Sequence, residues 1–218
     1  MLNKDKKISQ DLERFYSILS KLEKPTSIPQ QGVYLFFEPN ELRCNQLSPR
    51  VVRVGTHALN HCAKSTLQNR LKSHIGHRDG GGNHRVSVFR RHIGACIIKK
   101  EKIDCPHWGK RFKPDRQTKA QIDLIERKVS AYIGNMTFLC VAVIDNLGPD
   151  SLRAYFERNM IGLLSNHQEP LDPPSSQWLG HHSTSIEIRK SGLWNKNFVN
   201  HAYDEAFLDI LEQHIKAK

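Results

Sequence analysis

The 218-residue chain contains no apolar run approaching the roughly 20 residues that cross a bilayer, which argues against a helical membrane span. Its opening, "MLNKDKKISQDLERF", is basic but leads into no apolar block and no small-residue cleavage site, so no signal peptide is expected. Cysteine is scarce and odd in number. Cys44, Cys62, Cys96, Cys105 and Cys140 are scattered, which speaks against a disulfide framework and for a reducing cytoplasm. No paired CxxC is present, so Cys105 and His107 in "DCPHWGK" amount to half a zinc site at most. Acidic residues are in short supply as well: 22 Asp and Glu stand against 33 Lys and Arg, a net charge of +11. With a pI near 9.6, that balance points to a polyanion partner, nucleic acid first and an anionic membrane surface second. The glycine-rich stretch "HRDGGGNHR" (77–85) lacks the preceding strand and the spaced lysine of a phosphate-binding P-loop, and reads as a flexible basic loop.

What is there describes an ordinary soluble globular chain, 38% hydrophobic and 25% charged, long enough for one domain or one domain with an elaboration. Ile8, Leu12, Phe15, Ile18, Leu19 and Leu22 recur at helical spacing over 7–23, and the prolines of "KPTSIPQQ" end that helix. "GVYLFFE" (32–38) and "RVVRVGT" (50–56) are β-type runs. The loop "PNELRCNQLSP" joins them into a hairpin with a longish connection. "STLQNRLKSH" (65–74) reads as a short helix with Ser65 as N-cap and Leu67 and Leu71 as its apolar stripe. Arg70 and His74, four residues apart, share a face beside that stripe. A helix over 86–98, a basic loop over 99–119 and a helix over 120–134 closed by Gly134 follow. "MTFLCVAVID" (136–145) is a continuous apolar run suited to a central strand. A helix over 151–166, a Pro/Ser/His-rich loop over 167–185 and an amphipathic helix "LDILEQHIKAK" complete the chain. The fold class expected is α/β (α+β): a small central sheet flanked by helices.

The order of these elements carries the chemistry. Gly32-Val33-Tyr34 enters the first strand, Arg53-Val54-Gly55 ends the second, an Arg70-x-x-x-His74 helix follows, and Glu157 lies on the helix after the third strand. This arrangement resembles the GIY-YIG nuclease family, with Asn166 near the end of the Glu157 helix as a further match. The matching motifs cover roughly 32–166, so the chain divides into an N-terminal helical segment (1–30), a nuclease-like core (31–166) with an insert (77–134), and a C-terminal extension (167–218). A literal Tyr132-Ile133-Gly134 is a decoy, because it closes a helix rather than lying on the strand paired with Tyr34. At the proper place Arg53 replaces the second tyrosine, and a longer spacing to Arg70 puts His57 and His61 in an inserted turn.

The resemblance implies a Mg²⁺- or Mn²⁺-dependent DNA endonuclease, working on duplex DNA in the cytoplasm. Glu157 would hold the metal, a hard cation that takes one or two carboxylates and keeps several waters. Arg70 would grip the scissile phosphate with its always-charged fork. Tyr34 is then the candidate general base, acidified by Arg53, His57 or His74, with His74 as an alternative proton relay; Gly32 and Gly55 support the strands. Lys72, Arg78, Arg85, Arg90 and Arg91, followed by Lys110, Arg111, Lys113 and Arg116, suit phosphate contacts that are sequence-blind and salt-dependent, or else a solvated surface. In the tail, Trp178, Trp194, Asn195 and Asn197 suit either packing on the core, a dimer seam or base contacts. Duplex cutting by one site needs a homodimer or two visits. Three roles remain open on sequence: a restriction-type nuclease, a repair nuclease for branched DNA, and a silent nucleic-acid-binding protein.

Overall fold

A computed structural model of the chain describes residues 2–22, 27–59, 65–111, 113–146 and 148–217. His61 and Cys62 fall outside them. Helix α1 (Leu2–Ser20) is followed by strands β1 (Gly32–Leu42) and β2 (Pro49–Gly55), then α2 (Leu67–Ile75), α3 (Val88–Glu101), α4 (Arg116–Gly134), β3 (Thr137–Ala142), α5 (Leu152–Ser165), the short α6 (Ile186–Ser191) and α7 (Phe207–Lys216). The sheet has the order β2-β1-β3 with both pairings antiparallel.

The middle strand is β1, which pairs with β2 along one edge and β3 along the other and is buried on both faces. Val33, Leu35 and Phe37 point into a core built with α1, α5 and α7. Tyr34 and Phe36 point into a second core built with α2, α3, α4 and the tail. Helices thus cover both faces of the sheet, and the mixed α/β class follows from that. The N-terminal helix, the insert and the extension are all woven into these two cores rather than standing apart: Phe15, Phe156 and Phe207 share one, while Phe89, Ile125 and Trp194 share the other.

Several local expectations change. The apolar 136–145 segment forms an outer strand, not a central one, with only Cys140 and Val141 of β3 buried; central position depends on which strands pair, which an apolar run does not report. The hairpin connection is short, since β1 runs on to Leu42 and the turn is closed by the Arg43 amide on the Ser48 carbonyl at 2.9 Å. Thr66, not Ser65, caps α2, its hydroxyl accepting from the Asn69 amide at 3.1 Å. Helix α4 ends in Gly134 without a left-handed cap, Asn135 behind it being right-handed. The glycine-rich segment is fastened to α4 through Arg127 to the Asp79 carbonyl and Ser130 to the Gly81 carbonyl. Its glycines make room: a Cβ on Gly82 would strike the guanidinium of Arg90.

Candidate active site

A cleft of about 590 Å³ opens between the end of β2, α2, α3, α5 and a tail strap at 194–198. Local backbone chemistry sets its floor. Arg53 pairs with Phe36 and Val51 with Phe37, which leaves Val52 as an extra residue, a β-bulge of the kind that re-aims side chains beside active sites. Gly55 pairs with Tyr34, and a Cβ there would strike the phenol, so only glycine lets the Tyr34 ring lie across β2. At Gly32 a Cβ would strike the Val141 carbonyl of the neighbouring strand. The strap is tied to the outer side of β2: the Trp194 amide bonds the Val52 carbonyl at 2.7 Å, and the Asn195 side chain bonds both the amide and the carbonyl of Val54, at 3.1 and 2.8 Å.

Behind the cleft wall, the Tyr34 hydroxyl lies 2.7 Å from His74 Nε2, and His74 Nδ1 lies 2.7 Å from the hydroxyl of Ser87. Ser87 is also the N-cap of α3, accepting from the Arg90 amide at 3.2 Å. Burial, reinforced by the charges of Arg53, Arg70 and Arg90, holds His74 well below the usual histidine range, so its imidazole is neutral. A neutral ring carries one N–H. One of its two contacts, to the Tyr34 hydroxyl or to the Ser87 hydroxyl, is therefore a donation from the ring and the other an acceptance by it. Tyr34 and His74 are both 0% exposed and neither lines the cleft. Arg53 does line it. Its Nη1 donates to the Trp194 carbonyl at 2.6 Å and its guanidinium sits 4.7 Å above the Phe89 ring, while its charge acts on both His74 and Glu157.

Glu157, on the middle of α5, is the one carboxylate among the described residues lining the cleft. Burial pushes its carboxyl up to about 7, although Arg53, the Thr56 amide and Arg70 all pull the other way. A carboxylate that two arginines fail to restore to its ordinary range is short of positive charge. That donor fits a hard cation such as Mg²⁺ or Mn²⁺ with water in its remaining positions, and Glu157 would be its protein ligand. No cluster of three or more His, Cys, Asp or Glu is found among the described residues. Arg70 lines the same cleft, with Nη1 3.4 Å from the Val86 carbonyl and Nε buried without a partner.

The remaining sequence candidates separate. His57 lines the cleft, but its Nε2 accepts from Arg153 at 3.2 Å, and burial beside that arginine lowers it to about 4, which removes it as a proton acceptor near neutrality. Arg90 is a correction: it is 0% exposed and binds Glu126 through Nε and Nη2 at 2.9 and 2.6 Å, so it is no surface cation for nucleic acid. Glu126 is absorbed in that pair and in His84, away from the cleft. Asn166 is a second correction. It caps α5 in a left-handed conformation (φ 41°), donates to the Glu169 carbonyl and lines a different, smaller cavity. Tyr132 ends in α4 against Glu38, clear of the cleft. Lys72, Arg78, Arg85 and Arg91 are exposed, and of these Arg91 lines the cleft. Trp178 and Trp194 are buried against each other, so the tryptophans of the tail pack. Sequence reading missed Ser87, His92 and Lys196; of these only Ser87 carried a signal, a serine at cap spacing before Arg90.

Four of the seven buried side-chain polar atoms without a partner among the described residues belong to cleft residues: Arg53 Nε, His57 Nδ1, Arg70 Nε and His92 Nε2. Such orphans are uncommon in folded proteins, and four of them fall on residues of this one cleft. No helix among the described residues is long and apolar enough to cross a membrane. No curated protein and no solved structure matches the chain. The GIY-YIG domain family does, from residue 6 to residue 218, taking in the insert and the tail strap as well as the Tyr34, Arg70 and Glu157 motifs. The chain therefore belongs to the GIY-YIG domain family, whose members are nucleases acting on DNA.

Proposed function

We propose that the protein is a divalent-metal-dependent endonuclease that hydrolyses phosphodiester bonds of duplex DNA in this cleft. The observation that carries the reading is the convergence of Arg70 and Glu157 on one cleft, with the buried phenol of Tyr34 2.7 Å from the neutral imidazole that shares a helix with Arg70. Arg70 grips the scissile phosphate, giving its unpartnered Nε an acceptor. Glu157 holds the Mg²⁺ or Mn²⁺, which when bound offsets charge developing on the phosphate oxygens. Tyr34 serves as general base toward the attacking water, with His74 Nε2 2.7 Å from its oxygen as its hydrogen-bond partner. Tyr34 is fully buried, so the reaction requires a local opening that lets water reach its hydroxyl. The exposed Lys72, Arg78, Arg85, Arg91 and the 110–116 cations add salt-dependent affinity. Cutting both strands takes two visits or a second copy. With α3 and the strap at the cleft mouth, we assign substrate choice to them and favour a restriction-type role.

The test is nicking and linearisation of mixed plasmid DNA with Mg²⁺ by the wild type, Glu157→Ala and Arg70→Ala. Each variant should lose on the order of 10²–10³-fold in rate, as expected for a single group that stabilises transition-state charge. Absence of cleavage by the wild type, with salt-sensitive binding intact, would overturn the reading. Cleavage confined to branched DNA would replace it with a structure-specific nuclease.

A further inference from the structure

We propose that the cleft contains a second phosphate subsite, formed by Arg53, Arg91, His92 and Lys196, which takes the phosphate adjoining the one on Arg70. The proposal leans on the nuclease reading only in giving the scissile phosphate to Arg70; a site for two phosphates of one nucleotide stands whether or not the protein cuts.

Charge is the first ground. Four fixed cations line the cleft, Arg53, Arg70, Arg91 and Lys196, against the single carboxylate of Glu157. One phosphodiester brings one negative charge, and Arg70 with a Glu157-bound cation already answers it. Three cations are left over, and they are grouped. Arg53 from β2, Arg91 from α3 and Lys196 from the strap all act on His92, with Glu187 of α6 the one opposing carboxylate. Arg53 also acts on Glu157 and His74, so it stands between the catalytic groups and the His92 group.

Unmet hydrogen bonding is the second ground. Arg53 Nε and His92 Nε2 are both buried, both on residues lining the cleft, and both without a partner. Burial, with the three cations around it, lowers His92 to about 4, so the free protein keeps it neutral; an anion set among the same groups would reverse that field. Shape is the third. Beside these cations Ile161 and Phe198 give the cleft an apolar wall, and Phe198 is held at φ 66°, a left-handed conformation rare for an aromatic residue. The strap that carries it is tied to β2 through Trp194 and Asn195. A cleft of about 590 Å³ with cations at two places and an aromatic face between polar groups suits a nucleotide carrying a phosphate on each side of its sugar.

Thymidine 3′,5′-bisphosphate and thymidine 5′-monophosphate are the probes, titrated calorimetrically in EDTA so that neither metal nor cleavage enters. Two subsites joined by one sugar should make the bisphosphate bind about tenfold tighter or more. Combining His92→Ala with Lys196→Ala should cut the preference to about threefold or less, because only Arg53 and Arg91 of that subsite then remain. Lys196 is exposed, so Lys196→Glu serves as a second variant that leaves the packing alone. With ¹³C-labelled histidine at pH 6, the His92 signal should move toward the imidazolium position on adding the bisphosphate. Equal affinities in the wild type, a preference that survives the double variant, or an unmoved His92 signal would each overturn the subsite. Failure of plasmid cleavage with the bisphosphate preference intact would overturn the nuclease reading alone.

Discussion

Glu157 is the residue whose behaviour depends most on what is bound beside it. Its carboxyl is pushed up to about 7 by burial, and only the ionised form binds a hard cation. Cleavage at limiting metal should therefore fall as pH drops below 7, by up to about tenfold per unit, and level off above it. The same shift has a stability consequence of opposite sense. A carboxyl whose folded value lies above its unfolded value of 4.5 makes the metal-free protein gain stability as pH falls from 7 toward 4.5. Glu157→Gln should remove both trends, and melting curves with and without Mg²⁺ across that range read them. Ser87 offers a different kind of test. Losing its hydroxyl in Ser87→Ala removes a helix cap worth about 1 kcal/mol and also the hydrogen-bond partner of His74 Nδ1. The cap alone would lower the melting temperature and leave kcat unchanged. If Ser87 sets the tautomer, kcat falls by about 10–100-fold with KM little altered, the usual scale for a partner that orients a working group.

At the scale of elements, the catalytic helix is held in place by the α3–α4 pair through one buried ion pair. Arg90 binds Glu126, the carbonyls of His74 and Ile75 and the hydroxyl of Ser130, so a single side chain ties the end of α2 to α4. Glu126→Ala leaves Arg90 charged and unpaired and should cost about 3–5 kcal/mol in urea unfolding, whereas Arg90→Met combined with Glu126→Leu should cost much less. A smaller loss in the single variant than in the double one would contradict that account. Arg90 also shows where sequence reading stops. Arg90 and Arg91 are neighbours in a basic stretch, but one helical step of about 100° separates them, and one turns inward to a partner thirty-six residues away while the other reaches the cleft. Nothing local to "FRRH" announces Glu126. The β1–β2 hairpin was legible because alternation and chain proximity fix it, and the places of Tyr34, Arg70, His74 and Glu157 were legible because the motif order ties each to an element. The outer position of β3 was not, because an apolar run does not report pairing. His92 was not, because its role depends on a strap a hundred residues downstream.

Across the whole molecule, a +11 chain folds around three histidines kept neutral, and acid should find that weakness. Burial first, and neighbouring arginines second, lower His57 and His92 to about 4 and His74 well below its usual range. For each, the unfolded chain takes up a proton near pH 6.5 while the folded chain does so only lower. The stability they contribute is full above 6.5 and drains away as pH falls toward 4. Glu157 works the other way between 7 and 4.5, but it is one group against three. Unfolding midpoints in urea should therefore drop steadily between pH 6.5 and 4.5, and more so at low salt, where the net positive charge is unscreened. Duplex DNA should offset the loss, since phosphate placed among Arg53, Arg70, Arg91 and Lys196 opposes the charge that makes protonation of His92 costly. The expected signature is a DNA-induced rise in melting temperature that is larger at pH 5.5 than at pH 7.5 and vanishes in high salt. A stability profile flat from 6.5 to 4.5 would mean that these histidines are not neutral and enclosed in solution, and the reading of His74 as a neutral partner of the Tyr34 hydroxyl would fall with it.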